Sequence, residues 1–479
     1  MNKGWTVTFA GMGINLALGV LYAWSVIKKA IPAEWGWTDA DKALPYSIAC
    51  IVFALVMVPA GRLQDRIGPR WVATAGGVLT GMGCIIASYA TTVLWFVVGF
   101  GVFAGAGIGL GYASATPPAV KWFSARKTGL IAGLVVAGFG LASVYISPVA
   151  NHLTGFSLTG QPLPEVIVLA KAKELADYEY ARAVDIISVT ELEFGGLDVT
   201  TAENVLRVKD IARKDTSAQL LALKERNIHR TLFYLGIGFL VVVTLLAQFL
   251  SVPPPGYQPP DVVPGGKRAA DAPSINLGPS EILRTPIFYL LWLMYAFSAG
   301  AGLMIIGNIT TIAKLGKIEA GFILVALLAV GNAGGRIIAG ILSDRIGRIW
   351  TMFIIFVFQA VLMIVLRTGL THMVAFVMVS MLLGFNYGAC LSVFPSAVKD
   401  NFGLKNFGIN YGLVFTSWGV GGFFFPLFAG RLFEAAKKAT GSGSYNDAYL
   451  TASAVLVLAA ALTFAARVAE KRHRERYSA

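Results

Sequence analysis

Twelve long apolar runs constrain this chain more than any other feature. Each is near the ~20 residues that a helix needs to cross a hydrocarbon core about 30 Å thick. The first extends over 24 residues, Gly4 to Ile27, too long for a cleavable signal segment, and is read as a retained span. The other eleven centre near Ile51, Val78, Ala106, Ala137, Phe239, Leu303, Val330, Val357, Leu382, Ser417 and Val457. No water is available at that depth to satisfy backbone N–H and C=O groups, so each run must close its own hydrogen bonds as a helix. The expected fold class is an all-α membrane protein with twelve transmembrane helices and the lipid bilayer as its solvent. Composition agrees: 56 % of residues are hydrophobic and only 14 % charged, against about 25 % charged in soluble domains. The net charge of +13 is not concentrated in a basic tract interleaved with aromatics, so no nucleic-acid partner is expected. Cys50, Cys84 and Cys390 all lie in apolar runs at spacings that match no metal motif, so neither disulfides, nor a metal, nor a cofactor is implied.

Two segments interrupt the apolar pattern and set the expected organisation. Residues 154–228 carry nine Lys/Arg and twelve Asp/Glu and are read as an extracytoplasmic insertion, with amphipathic stretches from Pro164 to Ala183 and from Thr201 to Arg226. Residues 253–283 begin PPPGYQPPDVVPGG and are read as a cytoplasmic linker. The expected division is five spans in 1–153, the insertion, a sixth span in 229–252, the linker, six spans in 284–466 and a basic cytoplasmic tail in 467–479. Arg62, Arg66, Arg70, Lys121, Arg345, Arg348, Lys399, Lys405 and the tail fall on one side of this topology, with Lys28, Lys29, Lys314, Lys317, Lys437 and Lys438 as a minority on the other. The majority side is assigned to the cytoplasm together with both termini, in a plasma (inner) membrane.

The chain is also duplicated. GRLQDRIGPR (Gly61 to Arg70) and GILSDRIGRI (Gly340 to Ile349) share six of ten residues at an offset of 279. Without the 75-residue insertion that offset is 204, close to half of the remaining 404 residues. Ala119-Val120-Lys121 matches Ala397-Val398-Lys399, and Gly129, Gly133 and Leu134 match Gly408, Gly412 and Leu413. Two six-helix bundles in parallel repeat around a central site is an architecture of secondary transporters. The two Gly-x-x-x-Asp-Arg-x-Gly loops resemble the signature of the major facilitator superfamily. That resemblance implies a gating role for Asp65, Arg66, Asp344 and Arg345, with each carboxylate meeting a helix N-terminus or an arginine. Gly101/Gly105, Gly107/Gly111 and Gly129/Gly133 have the spacing of close helix packing. No GxxxxGK[ST] motif occurs, so nothing suggests nucleotide-driven transport.

Only one run carries an ionisable residue near its middle. Arg336 precedes Asp344 by eight residues, about 12 Å along a helix at ~1.5 Å per residue. Half of the hydrocarbon core is about 15 Å, so Arg336 lies near the midplane. An unpaired guanidinium there costs several kcal/mol, and no other span offers an Asp or Glu. A carboxylate substrate is the simplest partner, since it pairs with the guanidinium fork through two parallel hydrogen bonds. Asn332, one turn earlier on the same face, can add an amide.

GNAGGRIIAGILSDRIGR, PPPGYQP and GVLYAWSV resemble the oxalate:formate antiporter group and its neighbours, the monocarboxylate transporters. The resemblance implies that Arg336 binds the substrate carboxylate and that positions near Leu21, Tyr112, Tyr387, Phe415 and Trp418 line the cavity. Tyr22 and Trp24 are further aromatic candidates. Oxalate carriers place a Lys where this chain aligns Trp418, and the run from Asn410 to Phe428 contains no Lys. One cation balances one negative charge, which favours a monocarboxylate such as lactate, pyruvate, acetate, glycolate or formate. The expected activity is secondary active transport by a monomer, ranked as proton symport ahead of exchange, with an oxalate/formate-type exchanger and an anion channel as alternatives. An enzyme is not expected: His152, His229, His372 and His473 all lie at span ends or in loops.

Overall fold

The computed structural model describes residues 3–123, 128–155, 170, 172–174, 176–177, 199–254, 257, 275–318, 321–369, 371–403 and 406–477. Among these, twelve helices are long and apolar enough to cross a membrane. They are α1 (Lys3–Ala30), α2 (Asp39–Ile67), α3 (Pro69–Ala87), α4 (Val93–Val120), α5 (Thr128–Leu153), α6 (Val199–Ala247), α7 (Pro286–Leu315), α8 (Gly321–Ile346), α9 (Arg348–Arg367), α10 (Met373–Phe402), α11 (Phe407–Thr440) and α12 (Asn446–Tyr477). Large side chains such as Ile337, Ile338, Ile341, Leu245, Val457 and Leu458 are exposed, as an apolar solvent permits. The even span count puts the 67–69 and 346–348 turns at the same end of the bundle as both chain termini. That end is called the terminal end below, and the opposite one the far end.

The duplicated loops are built alike. Gly68 ends α2 at φ 89°, ψ 154°, and Gly347 ends α8 at φ 91°, ψ 155°. This backbone region is nearly closed to residues with a Cβ, which explains the glycine at both turns. The Asp-Arg pairs precede those turns in exposed positions. Asp65 faces Lys121 at 3.5 Å, inside the first half. Asp344 faces Arg348 at 2.6 Å, and Arg348 also reaches Asp400 at 2.9 Å, inside the second half. None of these ion pairs joins the two halves; each fastens a loop to its own bundle.

Three local departures from regular helix matter. First, α1 tightens into a 3₁₀ turn over Gly19–Ala23, where a side chain at Gly19 would overlap Ala142 and the Phe139 carbonyl of α5. Second, α4 widens into a π-helical stretch over Val97–Ala104, against the glycine-lined contact between Gly83 and Gly99. Third, α6 is continuous for 49 residues. The helix that carries the sixth span begins well before 229: no Pro interrupts it, and the amphipathic stretch expected from Thr201 to Arg226 runs straight into the apolar one. The stretch from Pro164 to Ala183 lies mostly outside the described residues. The far-end extension of α6 docks on the loop between α1 and α2. Lys224 pairs with Glu34 at 2.7 Å, and the Trp35 indole donates to Glu225 at 2.7 Å. Burial works to raise the Glu34 carboxyl, but the hydrogen bond and the charge of Lys224, with a backbone hydrogen bond, together outweigh it and hold the group below its ordinary value.

Candidate substrate site

The middle of α8 is held unusually close to α10. A Cβ at Gly335 would collide with the Phe385 carbonyl, and one at Gly388 with the Asn332 carbonyl. The glycines thus set how α8 faces the bundle centre. Gly105 and Gly107 of α4 pack in the same manner on α2 and α3, whereas Gly133 has nothing within 4 Å.

On this face Asn332 is fully buried and Arg336 is 4 % exposed. Arg336 Nε donates to Asn332 Oδ1 at 3.1 Å, one terminal nitrogen donates to the Val136 carbonyl of α5, and the other reaches the Tyr22 hydroxyl at 3.5 Å. Gly140, one turn after Val136, leaves room for the guanidinium: a Cβ there would lie 3.5 Å from its central carbon. The network continues across the molecule. The Tyr22 and Tyr387 hydroxyls are 2.8 Å apart, and the Trp418 indole N–H donates to the Tyr387 oxygen at 2.8 Å.

Apolar rings close the circle. Phe139 meets Tyr22 edge-on at 5.1 Å, Phe53 lies 5.9 Å from Phe139, and Trp418 lies 5.1 Å from Phe53. Tyr112 packs against Phe53 and Phe139 at 5.3 Å each, and Phe415 stacks on Trp418 at 5.0 Å. Leu21 is fully buried in the 3₁₀ turn that carries Tyr22. The fold therefore gathers Arg336, Asn332, Tyr22, Tyr387, Trp418, Tyr112 and Phe415 around one centre. Asp65, Arg66, Asp344 and Arg345 stand apart, at the terminal end. Trp24 instead packs on Tyr46, Phe96 and Phe100.

Sequence reasoning missed Phe53, Phe139 and the Val136 carbonyl. A lone phenylalanine in an apolar run carries no signal of function, and a backbone acceptor carries none at all. Lys28, read from sequence only as one of the minority cations on the far side, is 4 % exposed and engaged with the second half.

The hydrogen-bond inventory of the centre is one-sided. Arg336, Trp418, both tyrosine hydroxyls and the Asn332 amide supply donors, and Asn332 Nδ2 is buried without an acceptor. The acceptors offered to Arg336 are a carbonyl, an amide oxygen and a hydroxyl. No carboxylate pairs with it among the described residues. An uncompensated buried charge costs about 3–5 kcal/mol. The arrangement suits an anion with two acceptor oxygens and a short apolar remainder lying against Phe53 and Phe139.

Two six-helix halves meeting around a buried cation are the architecture of a transport protein, not of an enzyme. The chain belongs to the Major Facilitator Superfamily, whose profile matches residues 4–160, 227–426 and 291–478. It is 24 % identical over 423 residues to the MFS-type transporter YhjX of Escherichia coli (strain K12), covering 87 % of this chain and 85 % of that one. It is 23 % identical to the oxalate:formate antiporter of Oxalobacter formigenes, covering 96 % and 90 %. Similarity to monocarboxylate transporter 14 of Mus musculus is 22 %, covering 89 % and 82 %. A bacterial homolog of the human lysosomal transporter Spinster, solved facing inward and unoccupied, superposes with a TM-score of 0.62 at 15 % identity, covering 99 % and 98 %.

Proposed function

We propose that this protein is a secondary active carrier of small monocarboxylate anions. One observation carries the reading: a guanidinium, buried at the bundle centre, meets only uncharged acceptors and, among the described residues, has no carboxylate partner. A bound carboxylate takes the place of the Val136 carbonyl and the Tyr22 hydroxyl on Arg336, while Asn332 Nδ2 and the tyrosine hydroxyls supply further bonds. Its short apolar part rests on Phe53 and Phe139. The rocking of the two halves exposes this site to each side in turn. The names of two relatives, an oxalate:formate antiporter and a monocarboxylate transporter, support an organic-acid substrate. The carrier resides in the plasma membrane with both termini in the cytoplasm, works as a monomer, and couples the anion to a proton that travels with it.

A second reading is an oxalate/formate-type exchanger, favoured by similarity to the antiporter over 96 % of the chain. Trp418 argues against it: it faces Tyr387 across the site, and among the described residues no second cation joins Arg336. Competition against labelled lactate uptake in proteoliposomes separates the two. Formate, acetate, pyruvate and glycolate should compete and oxalate should not. If oxalate competes best, the exchanger reading replaces this one. An imposed inward proton gradient should drive lactate accumulation; uptake that needs an anion on the other side instead would remove proton coupling.

A further inference from the structure

Among the described residues Lys28 is a second buried cation, and the candidate anion site does not use it. It lies in the last turn of α1, about nine-tenths of the way to the far end, with 4 % of its surface exposed. Its ammonium pairs with Asp39 Oδ1 at 3.1 Å, at the start of α2 in the same half. It also donates to Asn308 Oδ1 of α7, in the other half, at 2.7 Å. The Tyr445 hydroxyl at the start of α12 donates to the same oxygen at 3.1 Å. Two more bonds cross between the halves at this level. The Thr310 hydroxyl donates to the Ser25 carbonyl at 2.9 Å, and the Asp39 N–H donates to Glu434 Oε1 of α11 at 3.1 Å. That last bond places a carboxylate at the N-terminus of α2, where the free first-turn amides and the helix dipole favour it.

We propose that Lys28 is a transport residue: with Asn308 it forms the latch that holds the far end of the carrier closed. Lys28 and Asp39 belong to one half, so their ion pair travels together when the halves rock. The bonds to Asn308, Ser25 and Glu434 must all break when the far end opens. Among them only Lys28 to Asn308 carries a full charge in a buried setting, where charge-assisted bonds are strongest. Asp39 keeps the ammonium neutralised in the open form, which makes the latch reversible. The helix α6 fastens the same loop from outside through Glu34 and Trp35, and so holds Asp39 in place under the lysine. This inference needs only that the two halves move against each other; it does not depend on which anion is carried.

The test is thiol labelling with an impermeant maleimide in nanodiscs, with Cys50, Cys84 and Cys390 replaced by alanine. Ser25→Cys reports the far end. Val58→Cys, which faces Gly412 across the halves nearer the terminal end, reports the other. Lys28→Met and Asn308→Ala should each speed labelling of Ser25→Cys by about tenfold and leave Val58→Cys unchanged or slower. Unchanged labelling of Ser25→Cys in both variants overturns the latch. So does an equal rise at both reporters, which would mean a loosened fold and not a shifted gate.

Discussion

The two halves of this molecule are copies at their ends and opposites at their centre. At the offset of 279 residues, Gly68 and Gly347 coincide and adopt the same left-handed turn within 2° of φ. The same offset places Met57 opposite Arg336, Phe53 opposite Asn332 and Phe139 opposite Trp418. All but Met57 of these residues meet at the candidate site. The second half supplies the charge and most of the side-chain donors; the first supplies two phenyl rings, the Tyr22 hydroxyl and a backbone carbonyl. Turn geometry tolerates no variation, because one backbone conformation serves both loops. On the proposed function the centre differs between copies because a small acid has one charged end and one apolar end.

Four experiments break or sharpen that comparison. Gly68→Ala and Gly347→Ala should each lower stability by about 1–3 kcal/mol, since both force a side chain into a conformation reserved for glycine. Melting temperatures in detergent will show whether the two costs match, and unequal shifts would mean that the copies no longer share a mechanical role. Trp418→Lys restores a second cation opposite Arg336 and should move selectivity from lactate toward oxalate by about tenfold, or about 1.4 kcal/mol. Phe139→Lys makes the same change in the other copy. If it shifts selectivity equally, the division into a charged and an apolar face does not hold. Phe53→Ala should admit longer acids, gaining about fourfold in competition for each methylene at ~0.8 kcal/mol. An unaltered chain-length profile would remove Phe53 from the apolar wall.

The smallest effect lies at the far-end loop. Glu34 is held below its usual value, so its pairing with Lys224 stabilises the fold above the unfolded carboxyl's pKa of about 4.3 and is lost as pH falls through the lower folded value. Glu34→Gln should therefore cost a few tenths of a kcal/mol at pH 7 and nothing near pH 3. A cost that persists at pH 3 would point to packing by Trp35 instead of charge.

Much of this was legible from sequence because it follows from local chemistry. Twelve apolar runs force twelve helices, and the repeat at 61–70 and 340–349 sets their pairing. Arg336 was found by depth alone, since a charge near the midplane must have a partner. What was not legible depends on contacts between helices distant in the chain. Phe53 and Phe139 resemble any lipid-facing or core phenylalanine until α2, α5 and α11 are brought together. Lys28 resembles a residue reaching for the interface until α7 and α12 enclose it. The Asp-Arg loops drew attention to gating at the terminal end, yet their ion pairs stay within each half, and away from the central site a charged contact that bridges the halves, Lys28 to Asn308, lies at the opposite end.

The central claim is that the Arg336 guanidinium anchors a carboxylate. Equilibrium binding of labelled lactate to the purified protein in nanodiscs, compared with Arg336→Gln, tests it most directly. The wild type should bind saturably, and lactamide, which has the same shape without the charge, should not compete. Arg336→Gln should melt as a folded carrier and lose affinity by about a hundredfold, the equivalent of ~2.8 kcal/mol for a charge-assisted pair. Wild-type affinity in Arg336→Gln, or equal competition by lactamide, would contradict the account.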